Sequence, residues 1–339
     1  MVRDPIPSPS PKTSNSRGKS EGAPKYRSSG REPYVFRVDK PDDLRDLYIG
    51  VHADLMDEAL HRDEGLFYLL YSPIFPEKKG PFGLHATPAS HAVAVTKYRF
   101  IISKDRHIKG IPPTIQSIPF RQVLYIQLGS ALSLGWFAIQ FVEEEKPFCT
   151  TLFFTATGIE HFEALIREYR RIPAANCGQL PEKIDWVDIW GRTPMTQVDR
   201  LKSLVLKEEN PFNSVRSSEL WCLEKKRWKK IPVYLSTNGI LVSTNLGFIH
   251  ATDEPCIRPK IYSFGVNVSC ISFDALKSVR ILEKRRDGNH LYSLRLETGR
   301  GPVAIDYDVP FNENSLNDAE ELVRFLKQNI GAEREVCIS

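Results

Sequence analysis

Cysteine is sparse and dispersed in this 339-residue chain: six residues, at positions 149, 177, 222, 256, 270 and 337, with no two within three places of each other. That spacing excludes a Cys-x-x-Cys zinc or redox motif. The polar first thirty residues also lack an apolar h-region, so reduced thiols in a cytosolic compartment are expected. Cys337 stands one place short of a prenylation box, and no lipid anchor is expected. A phosphate loop, a dinucleotide-binding glycine fingerprint, a nucleophile elbow and a zincin helix are all missing, so no cofactor is expected. The eight histidines are scattered: His52 and His61 lie nine apart, where metal ligands on a helix are usually three or four apart, and His85, His91 and His107 have no companion acidic motif. Asp306 and Asp308, two apart on a strand, read as solvent-facing carboxylates rather than a general acid and base. The expectation is a protein that is not an enzyme.

Net charge is equally scarce in the body of the chain. Lys plus Arg number 46 and Asp plus Glu 42. Residues 1–36 hold seven of the cations (Arg3, Lys12, Arg17, Lys19, Lys25, Arg27, Arg31) and three of the anions, which leaves 39 of each sign beyond Phe36. A nucleic-acid-binding body carries a clustered basic excess, so no nucleic-acid partner is expected. The 1–36 segment, rich in Ser, Pro, Gly and cations, has too little apolar surface to offset its ordering entropy and is expected to be a disordered basic tail.

Charge is also missing from Gln122 to Val142, a run of 21 residues long enough to suggest a membrane span. Its pattern argues otherwise: Phe137, Ile139 and Phe141 alternate with Trp136, Ala138 and Gln140, which predicts strand, apolar turn, strand. No transmembrane segment is expected.

Around this stretch the periodicity predicts a helix over PDDLRDLYIGVHADLMDEALHRDEG, closed by Gly65, and then the strands LFYLLY, AVAVTKYRFIIS, PFRQVLYIQL, GWFAIQFV and PFCTTLFFTA. A capping box from Thr157 to Glu160 opens a helix carrying Phe162, Leu165, Ile166 and Tyr169. The same grammar returns in WCLEKK, PVYLST, ILVST, CISFDALKSVRIL, HLYSLRLE and VAIDYDV, with Asn238-Gly239 and Asp287-Gly288 as hairpin turns. A last helix then carries Ala319, Leu322, Val323, Leu326 and Ile330. Residue matches support a repeat: Val93–Ser103 with Val233–Ser243 at an offset of 140, Ile118–Leu128 with Ile271–Ile281 at 153, and Leu165-Ile166-Arg167 with Leu322-Val323-Arg324 at 157. The second copy's counterpart of the uncharged stretch contains Lys277, Arg280, Glu283, Lys284, Arg285 and Arg286 and could not span a bilayer.

About seven antiparallel strands capped by a C-terminal helix, with LWCLEKKRWKKIPVYLSTNGILVST as opening strands, resemble the pleckstrin-homology-like superfold and its bacterial PH-like and GRAM-like members. The resemblance implies a mainly β (α+β) chain of two PH-like barrels. Its divisions are the tail at 1–36, an N-terminal helix plus first domain at 41–172, a linker at 173–214 and a second domain at 215–332. The linker holds DWVDIW and QVDRLKSLVLKEE and is expected to dock. Phosphoinositide-binding members place cations across the first hairpin. By that resemblance Lys225, Lys226, Arg227, Lys229 and Lys230, with Trp228, are candidate ligand-binding residues, and Lys284, Arg285 and Arg286 form a second basic tip. The plainer reading is lysines that keep an edge solvated. The uncharged GSALSLGW tip of the first copy is either an apolar patch for a partner or simply core. Two functions follow: peripheral docking on an anionic lipid or membrane surface through the second domain, or a protein-interaction adaptor using the apolar surface of the first.

Overall fold

Alternating β-branched and aromatic residues become strands where one face can meet a core. The computed structural model describes residues 34–36, 44, 49–61, 64–77, 87–131, 133–172, 183–217, 219–226, 229–253, 265–286 and 289–329. Over these the chain is mainly β, in antiparallel sheets. The first half runs β1 (Tyr34–Phe36), α1 (Val51–Ala59), β2 (Leu66–Glu77), β3 (Thr87–Thr96), β4 (Arg99–Asp105), β5 (Thr114–Pro119), β6 (Val123–Ala131), β7 (Leu134–Glu143), β8 (Lys146–Thr155) and α2 (Ile159–Arg171). Next come α3 (Trp186–Arg192), α4 (Met195–Leu204), β9 (Pro211–Ser217), β10 (Leu220–Lys226), β11 (Lys229–Ser236), β12 (Gly239–Thr244) and β13 (Gly247–Asp253). The chain closes with β14 (Gly265–Ile271), β15 (Leu276–Arg286), β16 (Asn289–Arg300), β17 (Val303–Phe311) and α5 (Leu316–Asn329).

One order of elements occurs twice. In the first half β2 to β5 form a meander, a 3-10 turn at Phe120–Gln122 leads into the meander β6-β7-β8, and a turn at Ala156–Gly158 leads into α2. In the second half the first strand is split into β9 and β10 and the second into β11 and β12. Then β13 and β14, a turn at Phe273–Ala275, the meander β15-β16-β17, a turn at Glu313–Ser315 and α5 complete the same course. The leading helix recurs as well, since α1 packs on β3, β4 and β5 and α4 packs on β13 and β14.

The two halves share one sheet. Its seven strands run β8-β7-β6-β14-β13-β12-β9, with β6 and β14 paired from Ala131 opposite Gly265 to Tyr125 opposite Ile271. This corrects the expected closed barrels. Among the described residues no sheet closes on itself, because the 3-10 turn at 120–122 separates β5 from β6 and β6 gives its free edge to β14 instead. The leading edge of the apolar 129–136 tip is therefore paired inside the chain: Gly129, Ser130 and Ala131 pair with Asn267, Val266 and Gly265. The uncharged 122–142 stretch forms the β6–β7 hairpin, as its alternation predicts.

The inner strands β3 and β4 of the first meander and β12, β13 and β14 of the second are buried along most of their length on both faces, which is why they show no clean apolar–polar alternation. Val93, Val95, Phe100 and Ile102 join a central core with Phe137, Phe162, Leu165 and Ile166, while Ala92, Ala94 and Ile101 meet Ala53 and Met56 of α1. In the second half Leu241, Phe248 and Ile271 pack with Val279, Leu294 and Leu322. Their strand neighbours Ile240, Val242, Ile249 and Val268 turn the other way and extend the central core of the first half. Each such side chain contributes about 1.5–3 kcal/mol on burial, so the contact between halves is part of the folding core of residues 31–339.

Several expectations need adjustment. The helix predicted from residue 41 to Gly65 is shorter: Gly50, at φ 56°, precedes a nine-residue α1 that ends at Ala59, and its buried face is His52, Ala53 and Met56 rather than Val51 and Leu55. The Thr157 capping box is not made, because the 3-10 turn occupies the entry to α2 and Thr157 bonds Thr155. Tyr34–Phe36, the end of the expected disordered tail, pair with β2; the rest of that tail lies outside the described residues.

Asn238-Gly239 is not a hairpin turn. It lies where the strand passes from β11 to β12, held by Gln197 of α4, whose Nε2 donates to the Asn238 carbonyl at 2.9 Å. A Cβ on Gly239 would sit 2.5 Å from Ser217 Oγ and 2.8 Å from the Ala251 carbonyl, so the glycine answers close strand packing rather than turn geometry. The turn is instead at Asn245-Leu246-Gly247, with Gly247 at φ 131°. The repeat accordingly aligns at an offset of 148 through these strands, Thr96 with Thr244 and Phe100 with Phe248. The offsets of 153 and 157 agree with the recurring turns and helices.

Candidate functional site

The two basic stretches occupy two separate sheets. Lys225 and Lys226 end β10 and Lys229 and Lys230 begin β11, with Lys225 opposite Lys230 and Lys226 opposite Lys229 in a two-stranded ribbon. Arg227 and Trp228, between them, lie outside the described residues. Lys284, Arg285 and Arg286 end β15, opposite Leu291, His290 and Asn289 of β16, in the sheet β15-β16-β17. The Asp287-Gly288 turn lies outside the described residues, though the pairing on either side is that of a hairpin. No hydrogen-bonded ladder joins the two basic stretches among the described residues.

Sequence reasoning missed a clasp that recurs in both halves. Two residues ahead of β2 stands buried Glu64, which accepts from the hydroxyl of Thr96 at the end of β3 and from Arg99 Nε at 2.9 Å. Arg99 Nη2 also caps the Ala59 carbonyl at the end of α1, at 2.8 Å. Two residues ahead of β9 stands Glu209, at an offset of 145, which accepts from Thr244 Oγ1 at 2.6 Å and from the Leu206 amide at 3.0 Å. Here the cation is Arg170, reaching in from α2 of the first half. It pairs with Glu209 and donates to the Leu204 carbonyl at the end of α4, at 2.6 Å. A guanidinium at a helix C-terminus meets both the dipole and the unpaired carbonyls. The side chains of Arg170 and Glu209 are 6% and 0% exposed. Burial opposes the Arg170 charge, but the neighbouring Glu209 carboxylate outweighs it and holds the guanidinium more strongly protonated than usual. Arg200 of α4 pairs with Glu163 of α2 at 2.6 Å and adds a second tie. The DWVDIW segment docks through fully buried Ile189 and stacked Trp186 and Trp190, with Trp186 Nε1 donating to the Glu209 carbonyl at 2.9 Å; Val187 points to solvent.

Beside this clasp is a cavity of about 230 Å³ between the halves. Phe120, Arg121, Tyr169 and Arg170 come from the first half, and Cys270, Ser272, Asp274 and Arg300 from the second. Burial pushes the Cys270 thiol up to about 11 and raises the Tyr169 hydroxyl as well, so both stay neutral near pH 7.

A second polar line lies under α1. Ser90 Oγ is 2.8 Å from His107 Nε2, and His107 Nδ1 is 3.2 Å from Asp105 Oδ2, so His107 does have an acidic companion, two residues ahead of it. These are the contacts of a Ser-His-Asp line. Ser90, however, is fully buried and is also bonded to His52 Nε2 at 2.8 Å, so its hydroxyl is closed to a substrate. His52 Nδ1 meets Ser103 Oγ at 2.7 Å, and the line ties α1 to β3 and β4. Burial, then the nearby His91, lowers His52 to about 4. Asp306 and Asp308 are joined by Arg295 of β16 at 2.6 and 2.7 Å, an exposed ion-pair set. No group of His, Cys, Asp or Glu among the described residues could hold a metal ion. No described helix is long and apolar enough to cross a membrane.

No protein-family model, curated protein or solved structure matches the chain.

Proposed function

We propose that the chain is a cytoplasmic, non-catalytic binding module built from two pleckstrin-homology-like units, which docks peripherally on anionic lipid head groups through the β10–β11 ribbon. The observation that carries this reading is the register, which sets four lysines as two adjacent opposite pairs, Lys225 with Lys230 and Lys226 with Lys229. Like charges directly opposite weaken strand pairing, so these residues do not serve the ribbon's own stability. An anionic partner offsets that cost. The twofold course of four strands, three strands and a helix supports the tandem reading. The adaptor reading is the less favoured of the two, since the 129–131 edge of its apolar tip is paired with β14.

Neighbouring strand residues face opposite ways, so one lysine pair meets a given surface and supplies about 2 kcal/mol at roughly 1 kcal/mol per cation near an anionic membrane. That is a weak and salt-sensitive contact. The test is co-sedimentation with vesicles containing phosphatidylserine, in low and high salt. Pelleting that falls with salt and is lost when Lys225, Lys226, Lys229 and Lys230 are changed to Glu supports the proposal; equal pelleting of wild type and variant refutes it.

A further inference from the structure

We infer that the cavity between the two halves is a binding site for a phosphate monoester. Three guanidinium-bearing residues line it from three separate elements: Arg121 from the 3-10 turn after β5, Arg170 from α2 and Arg300 from β16. Arg170 is committed to Glu209, and Arg300 is held in place by the main-chain oxygen of Asp274, to which its Nη1 donates. Arg121 has no ion-pair or hydrogen-bond partner among the described residues. With Asp274 and Glu209 counted against the three arginines, the surroundings keep a formal charge of +1 before a ligand enters.

The size and the donors narrow the ligand. A volume of about 230 Å³ lies below the range of drug-sized sites, about 300–1,000 Å³. It suits a phosphate with a short substituent rather than a nucleotide. Guanidinium forks match phosphate oxygens bidentately, and the Ser272 hydroxyl beside them supplies another polar contact. The Phe120 and Tyr169 rings, packed 5.2 Å apart, give the wall an apolar side against which the ester carbon can rest. Because the walls come from both halves, an occupant bridges the junction and stabilises the whole body by mass action. The cavity is distinct from the ribbon, and its occupant has two sources: a free phosphate ester or the same group on a lipid.

The experiment is thermal unfolding and isothermal titration of the full chain with glycerol 3-phosphate and with inorganic phosphate, at ionic strength matched with chloride. The variants are Arg121→Gln and Arg300→Gln, with near-ultraviolet circular dichroism to confirm native packing. A saturable rise in Tm and a Kd weakened at least tenfold by Arg121→Gln, the exposed member whose loss leaves the fold intact, support the site. No saturable heat, or equal affinity in wild type and Arg121→Gln, overturns it. A parallel arm uses phosphatidate vesicles with the four ribbon lysines changed to Glu. Pelleting that persists there and requires Arg121 assigns the occupant to a lipid; soluble-ester binding without such pelleting assigns it to a free metabolite. Failure of the ribbon proposal leaves these readouts unchanged.

Discussion

Removing the Glu209 carboxylate tests how firmly the two halves are tied. In Glu209→Ala, Arg170, at 6% side-chain exposure, keeps its charge with no counter-ion, and the Thr244 hydroxyl and Leu206 amide lose the acceptor they reach at 2.6 and 3.0 Å. Breaking a buried pair on one side costs about 3–5 kcal/mol, a fifth or more of a typical folding stability of about 5–15 kcal/mol. With a urea slope of about 2–3 kcal/mol per molar, the midpoint falls by about 1–2.5 M. The corresponding change in the first half, Glu64→Ala, costs less, because the side chain of Arg99 is 17% exposed and can hydrate. The double variant Arg170→Met with Glu209→Leu removes both charges and is expected to be more stable than Glu209→Ala alone. Equilibrium urea unfolding followed by fluorescence and circular dichroism reads all three variants. A loss under about 1 kcal/mol for Glu209→Ala, or a double variant no more stable than Glu209→Ala, refutes the reasoning.

Other outcomes follow from the same structure. His52 and His250 are both lowered to about 4, His52 by burial and then by His91, and His250 by burial alone. Each therefore binds its proton more readily unfolded, near pH 6.5, than folded. The stability they protect is complete above about pH 6.5 and is lost as pH falls toward 4, by roughly 3 kcal/mol each at about 1.4 kcal/mol per unit. His52→Gln, which places at 52 the residue found at the corresponding position 197, flattens about half of that loss in urea unfolding measured across pH. Gly239→Ala is expected to cost about 1–3 kcal/mol, since its Cβ meets Ser217 Oγ and the Ala251 carbonyl, whereas Gly191→Ala in α3 meets nothing within 4 Å and is neutral or stabilising by calorimetry.

Much of the fold was legible because its strands carry a period of two and its helices a period near four. The β6–β7 hairpin, α2 and α5 follow directly from Phe137, Ile139 and Phe141 and from Phe162, Leu165 and Leu322. The errors arose where tertiary packing overrides a local signal. Asn-Gly is a strong turn dipeptide, yet at 238–239 the chain only bends between β11 and β12, with Gln197 holding the Asn238 carbonyl and no room for a Cβ on Gly239. β13, Gly247–Asp253, went unread because GFIHATD is short, and its apolar and polar residues do not alternate cleanly when both faces are buried. The shared sheet had no sequence signature, since pairing of β6 with β14 depends on edges and not on composition. Glu64, Thr96, Glu209 and Thr244 could have been found by extending the repeat upstream of its first strand, where each acid stands two residues ahead at an offset of 145. The Arg170 partner could not, because it comes from the other half.

The central claim, that the β10–β11 ribbon meets an anionic surface, is tested most directly by amide hydrogen exchange of the full chain with and without phosphatidylserine vesicles. The account predicts added protection centred on residues 220–236 that disappears in high salt and in the variant with all four ribbon lysines changed to Glu. Protection centred elsewhere, or none in that segment while the protein pellets with the vesicles, contradicts it.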